Sequence, residues 1–348
     1  MSSVRGGAPG TDDAISVRDL CYSFRSLRSA AEGEGDRRRP SARRRETIRA
    51  LQDVTFNVAA GESVALLGAN GAGKSTLVKV LAGVLHPTAG SVTLFGLDPW
   101  RQKRRYRRQI GVVFGHRTQL WWDLPVADSL RFLGTVYQVE RAQATRQLDV
   151  LTEVLDLGSL LRTPVRELSL GQRMRCEIAA SLIHTPSVLL LDEPTIGLDI
   201  VSRVQLREHL RILTSEKRCT VVLSSHDLLD VEGVTNRLLI LESGILFYED
   251  SLRKLWEVLG PRTVTVSALL GGRVRAALVE ALAERHAVVQ EGSDTAGLGH
   301  ELSFRIDREN LVAALGLILG ERDVLDIRID QPSIEQIVVE LYRKTTSR

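Results

Sequence analysis

The sequence predicts an α/β protein with a parallel-sheet core, an antiparallel β segment at its start, a helical stretch between the core strands and a small βαββαβ unit appended behind. Three observations predict it. Short apolar runs, SVALL at Ser63–Leu67, SVLLL at Ser187–Leu191 and TVVLSS at Thr220–Ser225, alternate with stretches of helical period such as TLVKVLAGVL and RMRCEIAASLI. That is the pattern of parallel strands covered on both faces. Before them, ISVRDLCYSF and LQDVTFNV alternate as two strands of an antiparallel pair. Behind them, after Gly260, strands and helices follow in the order βαββαβ, a ferredoxin-like split pattern closed by SIEQIVVELY.

With 348 residues, the chain is long enough for two compact units at about 150 residues each. Residues 1–14 are expected to be disordered, 15–260 to form the main domain and 261–348 an accessory domain. A hydrophobic share of 43% provides a real core and excludes global disorder. No apolar run reaches the ~20 residues of a membrane-spanning helix, and MSSVRGGAPGTDD lacks the apolar stretch of a signal peptide. The expectation is a protein working from the cytosolic side. Cys21, Cys176 and Cys219 are odd in number and far apart, so they read as reduced thiols rather than a disulfide or metal framework.

The formal charge of +3 hides an uneven distribution. Residues 25–49 carry nine Arg against Glu32, Glu34, Asp36 and Glu46, a local +5, and the run from Arg101 to Gln109 adds +6, which leaves −8 for the rest. The first stretch is poor in apolar residues and reads as a flexible basic insertion. Arg37 to Arg45 is expected to contribute to docking at a membrane face, where a basic residue that reaches anionic headgroups contributes about 1 kcal/mol.

Chemistry enters right after the SVALL strand. Gly68, Asn70, Gly71, Ala72, Gly73, Lys74, Ser75 and Thr76 belong to a G-x-x-x-x-G-K-[ST] loop that opens a helix. Its glycines let backbone N–H groups converge on phosphate oxygens, Lys74 reaches the β- and γ-phosphates, and the Ser75 hydroxyl can ligate Mg²⁺. The chain holds six Lys and forty Arg, so Lys74 is a choice of shape: a compact ammonium fits the cradle where a planar guanidinium does not. Further on, Asp192 and Glu193 end a buried strand as adjacent carboxylates. Successive strand residues point opposite ways, so the two divide the work. Asp192 would hold Mg²⁺ through its water shell, and Glu193 would polarise the water that attacks the γ-phosphate.

LSLGQ at Leu168–Gln172, Gly197-Leu198-Asp199 and His226 in SSHD complete a set of five ordered motifs. With them the chain, over roughly Ile15 to Leu259, resembles the ATP-binding-cassette (ABC) ATPases. The resemblance implies a cassette with an antiparallel β subdomain, a parallel-sheet core and a helical subdomain, binding ATP and Mg²⁺. LSLGQ resembles the family signature: Ser169, Gly171 and Gln172 at a helix start make a second anion site that faces the nucleotide of another subunit. One chain carries one phosphate loop and one signature, so two cassettes pair head to tail, as a homodimer or with a paralogous cassette. His226 would contact the γ-phosphate and Asp199 would link the two sites.

Two features depart from the family pattern. The adenine-stacking aromatic is Phe24 by alignment, with Tyr22 the alternative. In IGVVFGHRTQLWWDLP the usual glutamine is replaced by Gly115. Gln119 is preferred in its role, as a ligand of Mg²⁺ and the attacking water, with His116 nearby. Trp121 and Trp122 follow, either a half-buried hinge or an interface anchor. TQLWWDLP and the C-terminal QPSIEQIVVELY resemble ABC-2 type and drug exporters. The implied function is the ATPase subunit of an ABC-2 type exporter, peripheral at the cytoplasmic face of the plasma membrane through separately encoded permease subunits. The alternative is a soluble ABC ATPase on nucleic acid or ribosomes, suggested by the Arg runs but not by domain organisation, so no nucleic acid partner is expected. A third possibility gives the βαββαβ unit a regulatory ligand.

Overall fold

The computed structural model describes residues 13–27, 45–115, 117–215, 219–259, 263–270, 276–285, 287–294, 300–320, 324–330 and Leu341. In chain order the elements are β1 (Asp13–Leu27), β2 (Arg45–Ala59), β3 (Ser63–Leu67), α1 (Lys74–Leu81), β4 (Ala89–Leu94), α2 (Lys103–Gln109), β5 (Ile110–Phe114), α3 (Val126–Val136) and α4 (Arg141–Val154). They continue with α5 (Leu170–Leu182), β6 (Val188–Asp192), α6 (Ile200–Ser215), β7 (Thr220–Ser225), β8 (Arg237–Glu242), β9 (Ile245–Ser251), α7 (Leu252–Leu259), β10 (Thr263–Leu270), α8 (Ala276–Ala283), β11 (Val288–Asp294), β12 (His300–Asp307), α9 (Leu311–Leu319) and β13 (Val324–Asp330). Two compact units result, one ending at Asp250 and the other beginning at Ser251, so α7, with Leu255 fully buried, groups with the second unit rather than the first.

In the first unit a three-stranded antiparallel sheet, β2-β1-β4, packs on α1 and on a six-stranded sheet of order β5-β6-β7-β3-β8-β9. Strands β5, β6, β7, β3 and β8 run parallel. All five residues of β6 and all six of β7 are buried, which is why these runs are continuously apolar rather than alternating. Leu66, Leu77, Val78, Leu81, Leu190 and Leu239 form the seam between the layers; each fully buried aliphatic side chain contributes about 1.5–3 kcal/mol.

The expected insertion is shorter than 25–49. Phe24 faces Ile48, Ser26 faces Glu46 and Leu27 faces Arg45, so both ends of that stretch extend the β1–β2 ladder. Cross-strand pairing carries the charged residues there, which composition alone reads as loop. Of Arg37 to Arg45, all but Arg45 lie outside the described residues, as does most of SIEQIVVELY.

In the second unit the sheet order is β11-β12-β10-β13 with all neighbours antiparallel, and α8 and α9 each cross one intervening strand. Val266, Leu302, Phe304, Ile306, Leu282 and Ile318 close its core. Cys21, Cys176 and Cys219 are free thiols, and burial pushes Cys176 and Cys219 up to about 12, leaving them inert.

Candidate phosphate and nucleotide site

Ligand sites of parallel sheets form beyond the C-terminal ends of the strands. Here the ends of β3, β6 and β7 meet. The loop leaving β3 takes three left-handed glycines, Gly68, Gly71 and Gly73, at φ +156°, +85° and +107°. A Cβ on Gly68 would lie 2.4 Å from Leu241 O, and one on Gly73 would lie 2.6 Å from Ala50 O, so the loop is pressed against β8 and β2 by backbone alone. The Ser243–Gly244 turn between β8 and β9 braces it from behind: Gly244 N donates to Ala72 O (2.9 Å) and Gln52 N to Gly244 O (2.8 Å). Asn70 and Gly71 are exposed at the tip, Ala72 is buried, and Ser75 and Thr76 follow on the first turn of α1.

Lys74 is buried, and its Nζ donates to Gly68 O (2.7 Å) and Ala69 O (3.1 Å) while pairing with Glu193 Oε1 at 3.1 Å. Phosphate oxygens entering this cradle would replace those contacts, since a buried ammonium needs anionic or carbonyl partners. Ser75 Oγ donates to Asp192 Oδ1 (3.0 Å), and Ser224 Oγ donates to the same oxygen (2.8 Å). Hard oxygen donors this close fit a divalent cation bound with phosphate, Mg²⁺ in particular. Glu193 has left-handed backbone, φ 52°, held by its N–H donating to Ser224 O (3.2 Å) and Ser224 Oγ (3.0 Å). This twist sends its carboxylate away from Asp192, toward Lys74 and toward His226, whose Nδ1 lies 2.6 Å from Glu193 Oε2.

A second group forms at the N-terminus of α5. Ser169 and Gln172 make a capping box: Gln172 N donates to Ser169 Oγ (3.2 Å) and Ser169 N to Gln172 Oε1 (2.9 Å). A Cβ on Gly171 would fall 2.5 Å from Ser202 Oγ, and that hydroxyl donates to Asp199 Oδ2 (2.6 Å), so Asp199 caps α6 beside Ser169–Gln172. The two hydrogen bonds from Ser202 lower the Asp199 pKa. Among the described residues no side-chain hydrogen bond or ion pair joins this group to Lys74, Ser75, Asp192, Glu193 or His226.

Gln119 is not gathered with Ser75 and Asp192, contrary to the sequence expectation. Its Nε2 donates to Val112 O (2.8 Å), and its side chain lines a cleft of about 420 Å³ with Arg104, Arg107, Arg108, Val136 and Tyr137. The physical reason is two anchors. Gly115 lies so close to Glu193 O that a Cβ would come within 2.5 Å, and Gln119 N is held by Glu177 Oε2 at 3.0 Å. His116 lies outside the described residues. Phe24 is 43% exposed on β1, while Tyr22 packs against the core, which leaves the Phe24 ring free to stack. Trp121 and Trp122 are exposed; Trp121 meets Phe132 edge-on at 4.5 Å and Arg173 sits 5.6 Å from the Trp122 ring centroid.

Sequence reasoning missed Ser224, which holds the Asp192 carboxylate and the Glu193 backbone N–H, and Asp230, which accepts from Thr195 (2.6 Å) and Ser225 (3.0 Å) and so ties the turn after Glu193 to the one before His226. The signal was two hydroxyls ending an otherwise apolar strand, TVVLSS.

Residues 51–196 match the family model described as ABC transporter. The chain is similar to the ABC transporter ATP-binding protein NatA of Bacillus subtilis, at 32% identity over 214 residues, covering 62% of this chain and 87% of NatA. It is also similar to the Nod factor export ATP-binding protein I of Rhizobium leguminosarum, at 35% identity over 194 residues, 56% of this chain and 62% of that one. Among solved structures, the dimeric post-hydrolysis cassette MJ0796 bound to ADP and Pi superposes with a TM-score of 0.56 at 25% identity, over 69% of this chain and 99% of that one.

Proposed function

The chain belongs to the ABC transporter ATP-binding family, and on that footing we propose that it is the ATP-hydrolysing subunit of an ABC-2 type exporter, closing as a dimer around two ATP and driving separate membrane subunits. The observation that carries this reading is the division of the nucleotide machinery into two groups. Lys74, Ser75, Asp192, Glu193 and His226 converge on one phosphate cradle, whereas Ser169, Gly171 and Gln172 sit on a different helix end and have no phosphate loop of their own. A second copy, or a paralogous cassette, supplies the missing half to each cradle.

Exposed apolar side chains flank Asp199: Ile196, Val201, Val204 and Ile200, the last 82% exposed. Such a patch beside a binding group fits burial in a dimer. With Mg·ATP in place, Ser75 and Asp192 hold the cation, which stabilises charge on the transferring phosphoryl group. Lys74 neutralises the phosphate oxygens, Glu193 orients and deprotonates the attacking water, and His226 holds Glu193 and faces the γ-phosphate. Phe24 stacks on adenine; Asp199 links the paired sites.

Trp121, Trp122 and Phe132 form the face for the membrane subunits, aromatic anchors being the usual centre of such contacts. Among the described residues no helix is long and apolar enough to cross a membrane, so attachment at the cytoplasmic face runs through those subunits. Similarity to transport proteins favours this over action on nucleic acid. The test is sedimentation of the Glu193→Gln chain with Mg·ATP. A nucleotide-dependent dimer is expected, and a monomer at saturating ATP would overturn the paired-site reading.

A further inference from the structure

Glu177 is a buried carboxylate that belongs to neither group. It lies midway along α5 and is 3% exposed, a position where an acid is costly unless its oxygens are hydrogen bonded. Its partners all come from the loop that follows β5. Thr118 Oγ1 donates to Oε1, and Gln119 N donates to both oxygens, at 3.2 and 3.0 Å; Leu120 N in turn donates to Thr118 Oγ1 (3.1 Å). Burial raises the Glu177 pKa, and the donors from Thr118, Gln119 and Leu120 together with Arg173 oppose it. One more tie runs to α5, Arg173 over the Trp122 ring, and just ahead of that helix Arg166 N donates to Trp122 O (3.0 Å).

The loop is also fastened to the parallel sheet, through Gln119 Nε2 and Val112 O. That bond joins two neutral groups, while those to Glu177 end on a carboxylate, and charge-assisted hydrogen bonds are roughly twice as strong. The loop beyond Gly115, itself held to Asp192 O (3.0 Å), is therefore bound more firmly to α5 than to Val112 of the sheet.

We propose that Glu177 is a positioning residue that clamps the loop bearing Trp121 and Trp122 to α5, so that a partner's nucleotide engaging Ser169, Gly171 and Gln172 moves the docking aromatics as one body with the signature. This rests on the reading of the α5 N-terminus as the second phosphate contact.

Hydrogen–deuterium exchange on the full chain tests it, in a Glu193→Gln background with and without Mg·ATP. The added variants are Glu177→Gln, which loses one acceptor, and Thr118→Val, which loses one donor at an exposed position. Without nucleotide, residues 118–122 are expected to exchange about tenfold faster in Glu177→Gln, the effect of losing a buried charged acceptor, and faster to a smaller extent in Thr118→Val. Residues 178–182 should be unchanged, which a general loosening of α5 would not leave so. With Mg·ATP, residues 169–174 and 118–122 slow together in the parent, and only 169–174 slow in Glu177→Gln. Parental exchange at 118–122 in both variants, or equal ATP protection there, overturns the proposal. Absent protection at 169–174 in the parent would instead sink the paired-site reading, and the nucleotide-free arm would still decide the role of Glu177. Thr118→Val carries that arm if Glu177→Gln does not fold.

Discussion

His226 Nδ1 and Glu193 Oε2 lie 2.6 Å apart across the ends of the neighbouring parallel strands β6 and β7, and Lys74 Nζ holds the other Glu193 oxygen at 3.1 Å. The carboxylate is thus fixed at both oxygens by groups from two different loops. Glu193→Gln keeps the shape and removes the proposed base. Turnover is expected to fall about 100-fold or more, the range for loss of a general base, with ATP affinity little changed. If His226 acts through the same carboxylate, His226→Ala combined with Glu193→Gln should cost scarcely more than the single change, and a further loss would report its own contact with the γ-phosphate. Steady-state phosphate release and nucleotide binding by calorimetry check both statements.

Ser224 meets both acids at the ends of the strands: its hydroxyl donates to Asp192 Oδ1 at 2.8 Å and accepts from Glu193 N at 3.0 Å. Ser224→Ala leaves a strained left-handed Glu193 with one of its two backbone anchors and Asp192 with one donor fewer. A buried hydrogen bond of this kind contributes about 1 kcal/mol, so kcat should drop about fivefold to tenfold. Since the hydroxyl touches the acids and not the cradle, KM should stay near the parental value.

The phosphate cradle was legible because its glycines, Lys74 and Ser75 are contiguous and sit between an apolar strand and a helical stretch. Asp192 and Glu193 were legible because a buried strand rarely ends in two acids. What escaped depends on contacts between distant segments. Glu177 reads as an ordinary helix acid, since helical spacing does not say which neighbour covers that face; its partners lie some sixty positions earlier, at Thr118 and Gln119. The same contact turned Gln119 from the cation toward Val112. The ends of the basic stretch read as loop because strand pairing of Leu27 with Arg45 is a matter of register, not composition.

Gly244 supports the phosphate loop without belonging to it. It has φ +82°, and a Cβ there would lie 2.7 Å from Ala50 O, whereas Gly71, at φ +85°, has open space around the added atom. Both Gly→Ala changes strain the backbone by about 1–3 kcal/mol. Only Gly244→Ala adds a collision with backbone, so it should lower Tm by more than Gly71→Ala does. Nucleotide binding should follow the reverse order, because Gly71 is in the cradle. Scanning calorimetry paired with ATP titration separates the two.

Tyr106 is fully buried on α2, and its hydroxyl donates to Leu81 O at the end of α1. Around it Lys103, Arg104, Arg105, Arg107 and Arg108 are exposed, so one aromatic side chain anchors a helix whose other faces are cationic. Tyr106→Phe keeps the ring and leaves a buried carbonyl without that donor. A loss of about 1–2 kcal/mol in urea unfolding is expected, with no change in kcat.

His184 joins α5 to β5. Its Nε2 donates to Ile110 O at 2.9 Å, its ring stacks on Tyr137 at 3.8 Å and 4°, and its Nδ1 is buried without a partner among the described residues. Burial lowers its pKa below the ordinary 6.5, outweighing the hydrogen bond to Ile110, which acts the other way. The unfolded chain therefore binds a proton here more readily than the folded one. The stabilisation belonging to the neutral ring is complete above about pH 6.5, and it is lost as pH falls toward the folded-state value, at a slope of at most about 1.4 kcal/mol per pH unit. His209, lowered by burial and by Arg175, adds to the same trend, so the informative quantity is a difference between proteins. His184→Phe keeps the stack on Tyr137 but forfeits the bond to Ile110 O. It should be less stable than the parent at pH 7.5, and the gap should narrow steadily down to pH 5 in urea unfolding. A gap that stays constant over that range would show that His184 does not change its proton occupancy on unfolding.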